Sequence, residues 1–479
     1  MKPLDAVARE ALLANGFVPE AGDAVVREVA SLRDAPTKGI EDLRALKWSS
    51  IDNATSRDLD QVEVAEELSD GAILLRIGIA DVDALVPKGS ATDAHAFANA
   101  TSVYTGISVY PMLPEKLSTN LTSLNEGEDR LVMVIEIELA ADGTVRRHDV
   151  YRALATNHAK LAYESVGAWL EGRGPEPDKL VPDDALEEQI WLQDRAASLL
   201  KRVRLQAGAL EFETVEATPV AKDGRVESLA VTRKNRARDL IEDFMIAANV
   251  AIARLLAEHG RSAIRRVVRV PRRWDRIVAI ARDYGSTLPE QPNALALSSF
   301  LGQRRAADPT RFADLSLSIV KLLGPGEYVL DQPGPSDDQP HFGLAATDYT
   351  HATAPNRRYA DLVTQRLVKA AIAGAPPPYT DAELAEIARQ CTERENAANR
   401  VERTTRKAAA AELLSQRIGA VFRAIVTGVK KDATYVRLLS PPAEGRVVRG
   451  EEGMDVGEQV RVRLLRTDAG RGHIDFERA

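Results

Sequence analysis

The segment Ile51-Asp52-Asn53-Ala54-Thr55-Ser56-Arg57-Asp58-Leu59-Asp60-Gln61 places three carboxylates and an amide in one short stretch. Asp52 ends one predicted strand. Asp58 and Asp60 open the next, where the two-residue period of a strand turns both carboxylates to the same side. A tight turn between the strands brings the three acids together, and such a group is stable only if protons or a cation relieve its repulsion. Hard oxygen ligands favour Mg²⁺ or Mn²⁺, and phosphate oxygens commonly complete the shell. Taken alone, the segment fits an acidic surface turn at least as well. A calcium loop counted from Asp58 fails, because Val62 and Glu63 stand where an oxygen ligand and a glycine are needed. No Walker loop, HExxH pair or GxSxG elbow points to other chemistry.

The elements that must position these acids can be read from periodicity. Leu4, Val7, Ala8, Leu12 and Leu13 follow helical spacing, Gly16 interrupts, and Val25, Val26, Val29 and Leu32 predict a second helix. This two-helix pattern is also what a helix-turn-helix would show. From about residue 43 the texture becomes strand-like: KWSSID, then VEVAEEL and AILLRIGIADV around a Ser69-Asp70-Gly71 turn, then DRLVMVIEIEL ending at Gly143. Helical periodicity returns over 184–207 and 235–258, prolines at 271, 289 and 292 break the next stretch, and a charged helix runs from Asp381 to about Arg417. After Gly419, five short strands within about sixty residues predict a small barrel of the oligonucleotide-binding type.

The chain has 479 residues, long enough for two or three domains. No stretch approaches the ~18 consecutive apolar residues of a membrane span, and Asp5, Arg9 and Glu10 occupy the place of a signal-peptide core. The expectation is a cytoplasmic protein without membrane segments. The lone Cys391 excludes an internal disulfide and a thiolate metal cage. It reads as a small residue packed on a helix. The net charge of −8 argues against a nucleic-acid partner, but Lys and Arg crowd 261–276 and 400–431, and such distribution matters more than the sum.

The motifs downstream of the acidic cluster carry a resemblance. IADVDALVPKGSATDAHAFANATSVY, PMLPEKLSTNLTSLNEGEDRLVM, AKLAYESV (159–166), GALEF (208–212), LIEDFMIAANVAIA (240–253), HFGLA (341–345) and YTHATAPNRRYADL (349–362) come in the order of the RNB catalytic domain. Together they resemble the RNase II family of exoribonucleases, and the terminal strands resemble the S1-type RNA-binding barrel that closes its members. The resemblance implies an α+β multidomain chain. It has a short N-terminal helical domain over 1–42, a mixed α/β catalytic domain over 43–410, and a five-stranded OB-fold barrel over 411–479. It implies processive, metal-assisted 3′-to-5′ hydrolysis of single-stranded RNA to nucleoside 5′-monophosphates, with Mg²⁺ as the metal and Mn²⁺ as a substitute. A monomer without an obligate protein partner is expected.

By motif position, Asp52, Asp58 and Asp60 resemble the family's metal-binding acids, and Asp60 the acid tied most directly to cleavage. Arg357 is similar to the arginine that holds the scissile phosphate, a task suited to a bidentate guanidinium. Tyr163 and Glu242 match residues that contact the ribose, where a carboxylate accepting from the 2′-hydroxyl favours RNA over DNA. Tyr104 and Phe212 match aromatics that clamp terminal bases, and Arg358 contacts the backbone or supports the site. Without the resemblance, each has a structural reading. Glu242 could pair with Arg238 one turn earlier, the aromatics could be core, and both arginines could bridge to Asp361. His341 and His351, inside matching motifs, are expected in structural hydrogen bonds.

Two departures stand out. Gln61 occupies the place of the family's fourth acid, so it brings an amide oxygen without charge and metal affinity should fall. Only 51 residues precede Asp52, too few for the two cold-shock barrels usual in the family. An RNA entrance formed by the terminal barrel and the helical cap, more open and with altered tolerance for structured RNA, is the expectation. A catalytically weakened RNA-binding protein of the same fold is the alternative that Gln61 motivates.

Overall fold

The alternating apolar stretches become the strands of one mixed sheet. In a computed structural model of the chain, residues 4–33, 35–213, 216–222, 225–334, 341–430, 433–455 and 458–479 are described; Lys431, at the end of the second basic run, lies outside them. The first strands are β1 (Glu41–Asp42), β2 (Ser49–Asp52), β3 (Gln61–Glu67) and β4 (Ile73–Ala80), and a hairpin of β5 (Val103–Tyr104) and β6 (Val109–Tyr110) follows apart from the sheet. The long strands β7 (Asp129–Leu139) and β8 (Val145–Thr156) and the short β9 (Ala159–Ala162) complete the sheet in the order β1-β8-β7-β4-β3-β2-β9. Only the outer pairs, β1 with β8 and β2 with β9, run parallel. The strands bury Ile51, Val62, Leu75, Ile77, Val132, Val134 and Ile135 in one core with the helices that cover them.

Those helices arise from amphipathic stretches of sequence. α1 (Leu4–Ala14) and α2 (Asp23–Ser31) open the chain, and α3 (Ala91–Asn99) precedes the hairpin. α1 packs on a late helix and α2 on α3, so the first two helices dock on separate partners. α4 (Tyr163–Leu170), α5 (Asp184–Gln206) and α6 (Arg236–Glu258) cover the sheet, and between α5 and α6 in sequence a two-stranded ribbon of β10 (Glu216–Lys222) and β11 (Arg225–Thr232) packs instead against a late helix. Another pair, β12 (Ala263–Val267) with β13 (Glu327–Asp331), brackets α7 (Trp274–Asp283), α8 (Ala294–Ala307) and α9 (Pro309–Leu323). The prolines in that stretch separate helices that share their own core around Trp274, Ile277, Phe300 and Phe312.

α10 (Tyr359–Ile372) is buried almost throughout, and α11 (Asp381–Leu414) starts at a capping box between Thr380 and Glu383. α11 reaches the C-terminal strands, β14 (Val421–Lys430), β15 (Ala433–Leu438), β16 (Glu444–Arg449), β17 (Gln459–Asp468) and β18 (His473–Arg478), which close into a barrel. Its Ala410, Ala411 and Leu414 join Phe422, Val436, Leu464 and Phe476 in the barrel core.

Candidate active site

The acids sit where the sheet ends. Asp52 is the last residue of β2, and parallel pairing sets it opposite Ala162, so the next residue, Tyr163, begins α4 beside it. β3 starts at Gln61, so Asp58 and Asp60 lie on an extended lead-in and not in the strand itself. The reason is local: the Leu59 N–H donates to Ser123 Oγ at 3.0 Å instead of to a neighbouring strand. Leu59 is nevertheless buried between the two acids, which keeps their alternation. The intervening turn is tied down by Lys160 Nζ, which donates to the carbonyls of Ala54 and Ser56.

One cavity of about 470 Å³ is lined by Asp52, Asp58, Asp60, Gln61, Tyr104, Tyr163, Glu242, Arg357 and Arg358. Asp60 is 3% exposed, and its two oxygens accept from Asn356 N and Arg357 Nε, each at 3.1 Å. Burial pushes its carboxyl up to about 7, Arg357 pulls the other way, and Asp58 adds to the rise. Burial also raises Asp52, although Asn53 N–H and the Ser56 hydroxyl donate to its Oδ1 at 2.6 and 3.0 Å. Asp58 accepts from the Tyr104 hydroxyl at 2.9 Å. Gln61 is buried, with Nε2 3.5 Å from the Ile51 carbonyl.

The opposite wall comes from the segment before α10. Ser102 N donates to Arg357 O and Tyr359 N to Ala100 O, which ties this segment to the strand leading into Tyr104. The two arginines divide their work. Arg358 clasps Asp361 with Nε and Nη2 at 2.9 and 2.8 Å, whereas Arg357 uses Nε on Asp60 and its terminal nitrogens have no hydrogen-bond partner among the described residues. The alternative in which both bridge to Asp361 holds for Arg358 alone.

Glu242 departs from the other structural alternative as well. It pairs with Lys234 at 2.7 Å, because Arg238 turns away to stack on the Tyr163 ring at 4.3 Å and to pair with Glu164. Asn235 caps α6 through Arg238 N and donates to Tyr163 O, so α6 and α4 position the ribose-contact candidates together. Gly167 is required for this approach: a Cβ there would lie 2.5 Å from the Asn235 carboxamide.

Phe212 is not in this cavity. It is half-buried against the α7–α9 core and lines an adjoining cavity of about 370 Å³, which Glu242 also borders. His351 hydrogen-bonds to the Tyr328 hydroxyl at 2.8 Å and lines the first cavity, and His341 Nδ1 accepts from Leu344 N at 3.2 Å and lines the second. The basic run 261–276 is partly internal, with Arg265, Arg266 and Arg269 paired to Asp331, Glu395 and Glu327. Sequence reasoning missed Asn356, Asn235 and Lys234. The position of Asn235 just before a helical run was a legible cap signal; Lys234 and Asn356 act through tertiary neighbours. It also missed Glu63, fully buried with both carboxylate oxygens unpartnered.

As donors, three carboxylates and an amide on one wall suit a hard divalent cation. The burial that raises Asp52 and Asp60 favours neutralisation by such a charge. In this arrangement protein donors occupy them, and among the described residues no three His, Cys, Asp or Glu converge closely enough to form a coordination shell.

Residues 40–374 match the RNB domain, and residues 420–479 match the RNase II-type exonuclease C-terminal S1 domain. The chain belongs to the RNB family. Ribonuclease R of Thermotoga maritima is 30% identical to this RNB chain, over 96% of it and 68% of that protein. The chain spans 51% of the length of Ribonuclease R of Vibrio cholerae and 70% of that of Ribonuclease R 2 of Lactococcus lactis, at 31% and 27% identity over 86% and 93% of this chain. Mycoplasma genitalium RNase R, in complex with ribose-methylated single-stranded RNA, shares the fold with a TM-score of 0.89 at 22% identity, covering 100% of this chain and 78% of that one. Yeast Ssd1, a pseudonuclease, shares it with a TM-score of 0.74 at 17% identity, covering 92% and 55%. No helix among the described residues is long and apolar enough to cross a membrane.

Proposed function

We propose that this RNB chain is a 3′-to-5′ exoribonuclease that hydrolyses single-stranded RNA processively to nucleoside 5′-monophosphates. The observation that carries the reading is that one cavity is lined by Asp52, Asp58, Asp60 and Gln61 together with Arg357, Tyr163 and Glu242. Asp52, Asp58, Asp60 and Gln61 would hold Mg²⁺, or Mn²⁺ in its place, and the ion would lower the pKa of an attacking water and neutralise phosphate.

The chain's own residues supply the rest. Arg357, with Nε committed to Asp60, offers its terminal nitrogens to the phosphate oxygens and stabilises their added charge. Glu242, half-exposed and held by Lys234, accepts from the terminal ribose 2′-hydroxyl. Tyr163, braced by Arg238, packs beside that sugar. Tyr104 and Phe212 offer bases flat surfaces, one in each of the two cavities that Glu242 borders. Arg358 acts by holding the loop that carries Arg357, through Asp361. The catalytic domain is taken as 43–410, with the helical region of residues 1–42 before it. The terminal domain is taken as 411–479, and its barrel presents exposed Arg423 and Arg461 side by side across paired strands, a pair suited to an RNA backbone.

A catalytically weakened RNA-binding protein is the second reading, motivated by Gln61 and by the likeness to a yeast pseudonuclease. Against it stands the assembly of the other acids, Arg357, Tyr163 and Glu242 in one cavity, which binding alone does not require. Incubating 5′-labelled single-stranded RNA with Mg²⁺ or Mn²⁺ separates the two. Metal-dependent shortening that Asp60→Asn abolishes supports the nuclease, whereas tight binding without turnover under either metal overturns it.

A further inference from the structure

Gln61 is not the only polar side chain on its side of β3. Glu63 stands two residues further along, and the unbroken pairing of β3 with β4 puts both on one face of the strand, about 7 Å apart. Gln61 lines the cavity, whereas Glu63 is closed off from solvent. Among the described residues no donor reaches either of the Glu63 carboxylate oxygens. Its buried neighbours are neutral: Ser49 is its partner across β2, and Gln193 of α5 donates through Nε2 to the Glu63 backbone carbonyl at 3.3 Å and not to the carboxylate. The carboxylate is nevertheless within electrostatic reach of the active site, because it feels the charge of Asp52 and acts in turn on the Tyr163 hydroxyl. The Gln61 Nε2 has one long contact, to the Ile51 carbonyl at 3.5 Å.

We propose that Glu63 is a positioning residue for the metal site: its carboxylate accepts from Gln61 Nε2 and so turns Gln61 Oε1 toward the cation. This rests on reading Gln61 as a metal contact. An amide bound to a cation through Oε1 leaves Nε2 pointing away, and that group then needs an acceptor. Nε2 carries two hydrogens, and the long contact to Ile51 occupies one at most. Glu63 is an acceptor on the same strand face, within reach of two long side chains. A buried carboxylate without a donor is costly, so the bond serves both partners. It also bears on the charge that Gln61 lacks. A carboxylate hydrogen-bonded to a metal ligand fixes its orientation and raises its basicity, so Glu63 gives back part of what an acid at position 61 would supply. An acid at 61 would have no N–H to offer, and Glu63 would then have nothing to position.

The test measures Mn²⁺ binding to the full chain, without RNA, by isothermal titration calorimetry, with thermal melts in EDTA for every variant. Gln61→Ala should weaken binding. Glu63→Met, an apolar side chain of similar length, should weaken it about tenfold, the lower end of what a partner orienting a metal ligand contributes. Glu63→Gln keeps an acceptor oxygen and should lose about threefold, since a neutral bond is about half as strong as a charge-assisted one. In the Gln61→Asp background both Glu63 variants should bind within about twofold of Gln61→Asp itself. A charge acting only at a distance would instead cost the same in both backgrounds, and that result overturns the positioning role. So does a Glu63→Met that binds Mn²⁺ as the parent does, whether or not it melts earlier. If Glu63→Met does not fold, Glu63→Gln decides in the same way, by a loss in the parent and none in Gln61→Asp. If Gln61→Ala itself binds Mn²⁺ like the parent, the metal contact at Gln61 is what fails, and the inference falls with it.

Discussion

Arg357→Ala separates two tasks of one guanidinium. Its Nε holds Asp60 at 3.1 Å, and its terminal nitrogens are the ones offered to phosphate. Asp60 is 3% exposed, so stripping it of a charge-assisted bond would cost about 1.5–3 kcal/mol in stability. Two features reduce that cost. Asn356 N–H remains on the other oxygen, and the Arg357 side chain is 42% exposed, so water takes part of its place. A destabilisation of about 1–2 kcal/mol is expected. The effect on chemistry is larger, because removing one preorganised donor from a developing oxyanion costs about 10²–10³ in rate. Arg357→Lys should fall close to Arg357→Ala, since one ammonium cannot hold Asp60 and clasp a phosphate bidentately. Single-turnover cleavage of 5′-labelled RNA at saturating enzyme isolates this step from binding and release, and thermal melts of the same preparations track folding. A rate within about threefold of the parent, far less than the 1.4 kcal/mol of a tenfold change, would remove Arg357 from the phosphate when Asp60→Asn is inactive. A loss that follows melting temperature across the variants would make its role structural.

Gln61→Asp restores a fourth carboxylate to a wall where Asp52 and Asp60 are already raised by burial. It should bind Mn²⁺ roughly tenfold tighter by calorimetry while melting earlier in EDTA; unchanged affinity removes Gln61 from the metal's contacts. Lys234→Met frees Glu242 from its 2.7 Å partner. The kcat/KM preference for a ribose over a 2′-deoxyribose 3′ end should narrow by about tenfold, and an unaltered ratio argues that Lys234 does not orient Glu242. His341 is held down to about 4 by burial, against an ordinary value of 6.5. The unfolded chain therefore takes up a proton that the folded chain refuses, and stability from this group, intact above 6.5, is lost as pH falls from there to about 4. His341→Gln should flatten that stretch of the stability curve by up to about 3 kcal/mol, and identical acid-side slopes in urea titrations would contradict it.

The sequence by itself determined the local features. The apolar, β-branched stretch over 129–139 became β7 with those ends, helical periodicity over 184–207 became α5, and Gly143, with φ 88°, closes the turn after β7. These were legible because backbone geometry and the burial of one face are settled within a few residues. The order of the motifs also gave the family, and with it a set of candidate residues. The sequence could not show which partner each charged side chain would choose. Glu242 and Arg238 sit one turn apart, yet Arg238 goes to Tyr163 and Glu164 because α4 packs there, and Lys234 takes Glu242. Arg357 and Arg358 are adjacent and chemically identical. Only the fold sends one to Asp60 and the other to Asp361, since the carboxylates they meet are 297 and 3 residues away. The same holds for Tyr104, whose hydroxyl meets Asp58 and whose N–H meets Glu402, 46 and 298 residues away. Short-range order follows from periodicity and propensity, but the pairing of charges across a cavity is decided by which elements pack together. That is a property of the whole core and of no single segment.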